Sequence, residues 1–509
     1  MFIVFLRHNF KMFLEVIGAV FIPPLIWTIW VYIKHLIDCL HYPRGPIPLP
    51  FIGNGYLIRK AEPYKELVNL GKIYGDVFSF SVGSVRYVIV NSLEGIQEVL
   101  VKKGWQFAGR PKGPSWDRSI HGLIQRDPSK KFKILRKLAT SSLKIFADGL
   151  AGMESKAIEE SFQLNKKLLE TNGKPFSMQE ITTLCVLNII CSILFNHRYK
   201  EDDLEFQAII KYSNLCFKER SVNNYIVSIP WLRYFPSASS RNLDEMIKIR
   251  DPLLKKKVQE HKRSYDENNI RDLTDALIKV SSNSETGQDP DENVTDDNIE
   301  FILNNFILAG SETSSNTILW FIVYILHWPE YQDKLYDEIV KVTSGSRYPC
   351  LKDRPSLHLM QAAIYETLRL SSVAPFGLYH KAMEKGSICG KPIPKGALII
   401  TNLWSIHHDE SYWKNAMSFY PERWLENSGE FNSKLGNAYL PFSSGPRSCI
   451  GETLAKTELF IFISRLINDF RFVKPILEEL PRLEGSFGIT CTPYDFKVEI
   501  VPRSKNLLL

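Results

Sequence analysis

The stretch Phe442-Ser443-Ser444-Gly445-Pro446-Arg447-Ser448-Cys449-Ile450-Gly451 decides how the rest of the chain is read. Its Gly, Ser and Pro make a loop, and Glu452 to Phe470 behind it has the period of an amphipathic helix. Cys449 therefore stands where a loop enters a helix N-terminus. Unpaired backbone N–H groups and the helix dipole at such a place favour a thiolate over a thiol. Gly445 and Gly451 lack a Cβ and allow a flat macrocycle to come close. Arg447 can reach an acidic group on the rim of that macrocycle, and Phe442 can shield the sulfur from water. A lone cysteine is more often a small buried hydrophobe. Against that stands the spacing F-x-x-G-x-R-x-C-x-G: five fixed residues at ~5% usage each coincide in on the order of 10⁻⁴ of chains this long.

Working outward, the 509 residues are 44% hydrophobic and 23% charged, enough for a large packed core. One boundary is visible, near the N-terminus, and divides the chain into residues 1–42, 43–54 and 55–509. Val16 to Ile33 runs without a charge. As a helix it would be about 27 Å long, close to the thickness of a bilayer core. It is long for a signal peptide, and no small-residue cleavage site follows. The expectation is a single retained transmembrane helix in segment 1–42, kinked at Pro23 and Pro24. Pro43, Pro46, Pro48 and Pro50 then forbid helix and imply a stiff extended hinge over 43–54. The net charge of +7 is dispersed. It suits an anionic membrane surface or an acidic protein rather than nucleic acid. Eight cysteines without a C-x-x-C pair are no disulfide framework.

Asp76 to Asn91 alternates around Gly83-Ser84, which predicts a β-hairpin. Helical periods dominate after it, from about Ser129 to Glu170 and from Phe176 to Phe195. The expected class is mainly α with a small β portion toward the N-terminal side. Asp297 to Trp328 reads as one buried helix, apolar on nearly all faces. Its middle, Ala309-Gly310-Ser311-Glu312-Thr313-Ser314, is small and polar. Gly310 and the hydroxyls are expected to loosen the helical ladder there. Glu366 and Arg369 stand i,i+3 on a helix from about Leu359 to Leu370, and Pro421-Glu422-Arg423-Trp424 follows. Walls of a ligand pocket are expected from 105–125 and 206–235.

The Cys449 spacing, followed upstream by these segments in order, is similar to the haem-ligand signature of the cytochrome P-450 family. The resemblance spans the anchor, the hinge and nearly everything from Asp76 onward, and implies that family's fold. It implies that Cys449 is the axial ligand of haem b iron, that Thr313 hydrogen-bonds dioxygen, and that Glu312 relays protons beside Ala309. Glu366, Arg369 and Arg423 would form a buried structural triad, with Trp424 in place of the family's Phe. Arg447, His380, Arg110 and Arg136 would meet the haem propionates. Phe132 replaces the tryptophan that normally adds one more donor, so one hydrogen bond is missing.

The implied activity is insertion of one oxygen atom from O2 into an apolar small molecule, such as a steroid, fatty acid or xenobiotic. A thiolate ligand favours O–O cleavage. No flavin or dinucleotide fingerprint is present, so electrons from NADPH must arrive through a separate flavin reductase. Lys130, Lys131, Lys133, Arg136 and Lys137 offer a basic stretch for an acidic partner. The runs Asn402 to His408 and Gly445 to Glu452 are similar to those of animal microsomal members that hydroxylate steroids at position 17, and of arene hydroxylases. That kinship implies the endoplasmic reticulum membrane, with the catalytic domain facing the cytosol. Two alternatives stay open: an electron-independent isomerase or dehydratase, and a non-catalytic membrane haem protein.

Overall fold

The computed structural model describes residues 22–503 except 24, 27, 51, 58–61, 84, 112–121, 148–149, 220–236 and 283–292. The body is built on helices α1 (Pro63–Tyr74), α2 (Lys130–Ala147), α3 (Leu150–Glu170), α4 (Met178–Phe195), α5 (Leu204–Glu219), α6 (Ala238–Arg263), α7 (Leu273–Ser282), α8 (Asp296–His327), α9 (Glu330–Thr343), α10 (His358–Ser371) and α11 (Glu452–Asp469). The long stretch expected from 129 to 170 is thus two helices, and residues 176–177 precede α4 as strand.

Helix α8 starts where Thr295 N–H donates to Asn298 Oδ1 (3.1 Å), with Asp296 and Asp297 in a first turn whose dipole suits them. Apolar residues on all its faces leave most of it buried. It packs most extensively against α4. Helix α4 is long and apolar enough to cross a membrane, yet 72% of it is buried within the fold, which makes it a core helix.

Strands β1 (Val77–Val82) and β2 (Val85–Val90) form the expected hairpin, Val77 opposite Val90 and Val82 opposite Val85. Their residues are nonetheless buried on both faces, not alternately. The other strands are β3 (Phe176–Ser177), β4 (His380–Lys381), β5 (Gly386–Ile388), β6 (Lys391–Ile393), β7 (Leu398–Thr401), β8 (Phe470–Val473), β9 (Gly485–Phe487), β10 (Cys491–Pro493) and β11 (Lys497–Pro502). The main sheet runs β1-β2-β7-β4. β2 and β7 are parallel, with Tyr87 beside Leu398. The small sheets therefore draw on both ends of the sequence, a correction to the expectation of an N-terminal β portion.

Of the expected membrane span, residues 16–21, 24 and 27 lie outside the described ones. The described residues from 22 to 39 are helical, and Ile22, Leu25, Ile26, Trp30 and Ile33 each expose half or more of their surface. The lower end of this helix is tied to the body. Tyr32 OH donates to Pro48 O (2.8 Å), and the Arg86 guanidinium donates to His35 O (2.9 Å). Residues 43–48 are free of helix and turn, but Leu49 and Gly53 exchange backbone hydrogen bonds (3.0 and 2.9 Å) so that the segment folds back, and it lies along β1. Ser79 Oγ donates to Pro43 O (2.7 Å), and a Cβ on Gly45 would fall 1.7 Å from the Ser79 carbonyl oxygen. Of the expected pocket walls, 112–121 and 220–236 are outside the described residues.

Candidate active site

The cysteine loop is fixed from its backbone upward. Residues Gly445–Arg447 make one 3₁₀ turn, and Cys449 N–H donates to Phe442 O at 2.9 Å. Gly445 has φ +70°, and a Cβ there would sit 1.8 Å from Leu100 O. Only glycine fits, and the reason is contact with the turn at Glu98–Lys102. Gly451 has no such constraint: its Cβ would lie 3.9 Å from Cys449 Sγ.

Cys449 is exposed yet surrounded by chain. Desolvation pushes its thiol up, and the Glu452 carboxylate adds to this; the Gly451 N–H and Arg136 oppose it without prevailing. The expected preference for thiolate at a helix N-terminus is thus not met by the polypeptide alone. Helix α11 begins at Glu452, three residues on, and one backbone N–H reaches the sulfur. A coordinated metal ion would supply the missing drive, since a thiol bound to one is deprotonated outright.

Beside this sulfur the structure gathers cations. Arg136 donates to Ser448 O (2.9 Å) and Ser448 Oγ (3.0 Å). Arg447 donates to Ala108 O (2.9 Å), Leu123 O (3.3 Å) and Arg126 O, with its guanidinium 3.9 Å above the Phe132 ring. Arg110, almost fully buried, donates to Ile124 O (3.2 Å), Leu378 O (3.0 Å) and Tyr379 O (2.7 Å). Burial, then Arg110 and Arg136, bring Arg447 down to about 8, and Asp127 opposes them only in part. Burial also takes Arg110 down to about 10. Three guanidiniums facing one carboxylate among the described residues form a site short of negative charge. Propionates have the matching chemistry, so these residues fit a haem.

His380 is buried on β4 and its Nδ1 bonds Phe107 O at 2.9 Å. A carbonyl only accepts, so Nδ1 carries the hydrogen. Burial, Arg110 and Arg447 hold the ring neutral, its pKa near 3. Its Nε2 is then an acceptor and becomes a donor to a carboxylate only by taking up a proton. The basic stretch is also less uniform than its sequence implies. Lys131 Nζ donates to Asn293 O, Lys133 lies 4.8 Å over the Trp105 ring, and Arg136 turns to Ser448.

In the middle of buried α8, Ala309 is exposed and Gly310, Glu312 and Thr313 are half-exposed, a polar opening in an apolar helix. The ladder is not loosened: α8 is continuous, and Gly310 serves close packing, since a Cβ there would meet Ile190 Cδ1 at 2.6 Å. Thr313 Oγ1 donates to Ala309 O (2.6 Å), an ordinary back-bond. Burial raises Glu312 to about 7, with the nearby Thr490 and Asn316 side chains opposing it in part, and its Oε2 is buried without a partner.

Glu366, Arg369 and Arg423 come together. Glu366 Oε1 accepts from Arg369 Nη2 (2.8 Å), Arg423 Nε (3.0 Å) and Tyr420 N (3.1 Å). Oε2 accepts from Arg369 Nε (2.9 Å) and Trp424 Nε1 (3.0 Å). The indole N–H explains tryptophan at 424, for phenylalanine has no donor.

Sequence reading missed Glu458. It is buried on α11, its Oε2 accepts from Ser314 Oγ (3.1 Å), its Oε1 has no partner, and burial raises it to about 8. A Glu on the apolar face of a helix was the available signal.

Residues 43–500 match the family model described as Cytochrome P450. The chain is 37% identical over 465 residues to the steroid 17-alpha-hydroxylase/17,20 lyase of Rana dybowskii, covering 90% of this chain and 89% of that one. It is 31% identical to the Cytochrome P450 2U1 of Bos taurus, covering 91% and 89%. A zebra fish cytochrome P450 solved with progesterone superposes with a TM-score of 0.78 at 32% identity, over 86% of this chain and 99% of that one. The chain therefore belongs to the cytochrome P450 family, which implies haem, and is a P450 monooxygenase.

Proposed function

We propose that this enzyme hydroxylates a flat, apolar, steroid-like molecule, drawing electrons from NADPH through a separate flavin reductase, at the endoplasmic reticulum membrane with residues 55–509 in the cytosol. The observation that carries the reading is the exposed Cys449 beside a charge-deficient cluster of Arg110, Arg136 and Arg447. The steroid preference rests on the similarity to proteins named as steroid 17-alpha-hydroxylases and to a structure holding progesterone.

Cys449 would hold the haem through its sulfur, and the bound group would supply dioxygen activation. The three arginines would hold the carboxylate rim, and His380 would join them on taking up a proton. The Phe442 carbonyl keeps the Cys449 amide, and so the loop, in place. Overall one C–H bond, O2, two electrons and two protons become one C–OH and water. The protons are the polypeptide's task. Thr313 turns its hydroxyl from the Ala309 carbonyl to the oxygen side and donates there. Glu312, poised near neutrality, restores that proton.

The test is the carbon monoxide difference spectrum of the dithionite-reduced protein, followed by a steroid panel with NADPH and reductase. A strongly red-shifted Soret band and NADPH-dependent hydroxysteroid are expected. An unshifted band would remove the thiolate ligand, and turnover of a hydroperoxide without NADPH would put an isomerase or dehydratase in its place.

A further inference from the structure

Two asparagines stand side by side on α8 and turn to different parts of the molecule. Asn304 is buried, and its Oδ1 accepts from the Tyr212 hydroxyl on α5 (2.5 Å). Asn305 is half-buried, and its Oδ1 accepts from the backbone N–H groups of Leu123 (3.0 Å) and Ile124 (3.2 Å). A backbone N–H only donates, so the carboxamide oxygen lies on that side and the Nδ2 amide on the other. Among the described residues no acceptor meets Nδ2.

The Asn305 carboxamide has little freedom to turn. Leu123 and Ile124 are held from their other side, since their carbonyls accept from Arg447 Nη1 (3.3 Å) and Arg110 Nε (3.2 Å). A Cβ on Gly122 would fall 2.9 Å from Asn305 Oδ1, so the loop comes as close to the helix as glycine allows. Along α8, Asn305, Ala309 and Thr313 are spaced i, i+4, i+8 and share a face. That is the face on which the otherwise buried helix opens, with Ala309 exposed and Thr313 half-exposed. The free amide therefore borders the oxygen side, about 12 Å from Thr313 along the helix axis. A donor fixed before any ligand arrives costs little further ordering on binding.

We propose that Asn305 is a specificity-determining residue: its Nδ2 amide donates a hydrogen bond to a ketone oxygen at the end of the substrate remote from the carbon attacked. The inference rests on the steroid reading and narrows it to ketosteroids. A fused four-ring skeleton is of the length that separates Asn305 from Thr313, so one molecule can meet both. A ligand without an acceptor there would bury the amide unpaired, and a site built to hydrogen-bond an oxygen rejects the analogue that lacks it. A cation brings only donors of its own and is refused for the same reason.

The test is a binding titration of the full-length, haem-loaded enzyme, read by the Soret shift and needing no NADPH. The probes are progesterone and its analogue without the ring-A ketone. The wild-type enzyme should bind progesterone about tenfold more tightly than the analogue. Asn305→Asp keeps an oxygen for Leu123 and Ile124 but puts a second acceptor where the donor was. Its affinity for progesterone should fall about tenfold, with that for the analogue unchanged. Asn305→Ala, which also gives up the loop contact, should erase the preference as well and serves if Asn305→Asp does not fold. A wild-type enzyme that binds both probes alike, or a preference that survives the substitutions, overturns Asn305 as the donor and leaves the steroid reading standing. No shift with either probe in the wild-type enzyme overturns the steroid reading, and this inference with it.

Discussion

Thr313 and Glu312 are neighbours on one helix with different tasks, and the difference comes from what each touches. The Thr313 hydroxyl bonds only within its own turn, so Thr313→Ala costs the helix little. Its expected effect is on chemistry: NADPH consumption continues while hydrogen peroxide replaces much of the product, read as the peroxide-to-product ratio. Glu458 bears on stability instead. Its carboxyl is raised from 4.5 to about 8. Below pH 4.5 folded and unfolded chains are both protonated there. As the pH rises toward 8 only the unfolded chain ionises, so stability falls through that window and the full cost is present above it. Glu458→Gln should raise the melting temperature at pH 8 and have little effect at pH 4.5. Equal shifts at both pH values would mean the carboxyl is ionised in the fold. Residue identity was legible where chemistry follows spacing, as at Cys449 and Glu366. It was not legible where a side chain meets a distant one, as Ser314 meets Glu458, because no local period encodes that contact.

At the scale of elements, the triad on α10 shows how one carboxylate can organise a region. Glu366 is fully buried and accepts five hydrogen bonds from Arg369, Arg423, Tyr420 and Trp424. Glu366→Ala would leave Arg369 buried without its counter-ion, a loss of about 3–5 kcal/mol, seen as failure to accumulate folded protein. Trp424→Phe removes one donor and should cost about 1–2 kcal/mol, measured by denaturant unfolding. The long helices were readable to within a residue or two, since α8 and α11 carry their apolar pattern and caps in the sequence. The short strands were not. β4 has two residues and β7 four, too few to show a period, and both lie in a sheet whose hairpin partners are buried on either face. The division between α2 and α3 was missed for a related reason, as the apolar period runs through both.

The whole molecule presents an apolar helix at its N-terminal end and an unequal distribution of charge around its cysteine. Removing residues 1–42 should move the protein from the membrane fraction to the soluble one while preserving the red-shifted carbon monoxide spectrum. Loss of the spectrum would mean that the contacts from Tyr32 and His35 to the body hold the fold itself.

The parallel pairing of β2 with β7 has a consequence during synthesis. The hairpin at 77–90 is made early, but the strand that covers the outer edge of β2 is translated about three hundred residues later. At roughly 5–20 residues per second that is a delay of about 15–60 s. Through that interval the nascent chain carries a valine- and isoleucine-rich edge with open backbone groups, ready to join a neighbour on the same polysome. The time between the hairpin and its partner, more than the stability of the finished sheet, then sets how much chain reaches the native state, and slower translation or scarce chaperone should lower yield through this edge first.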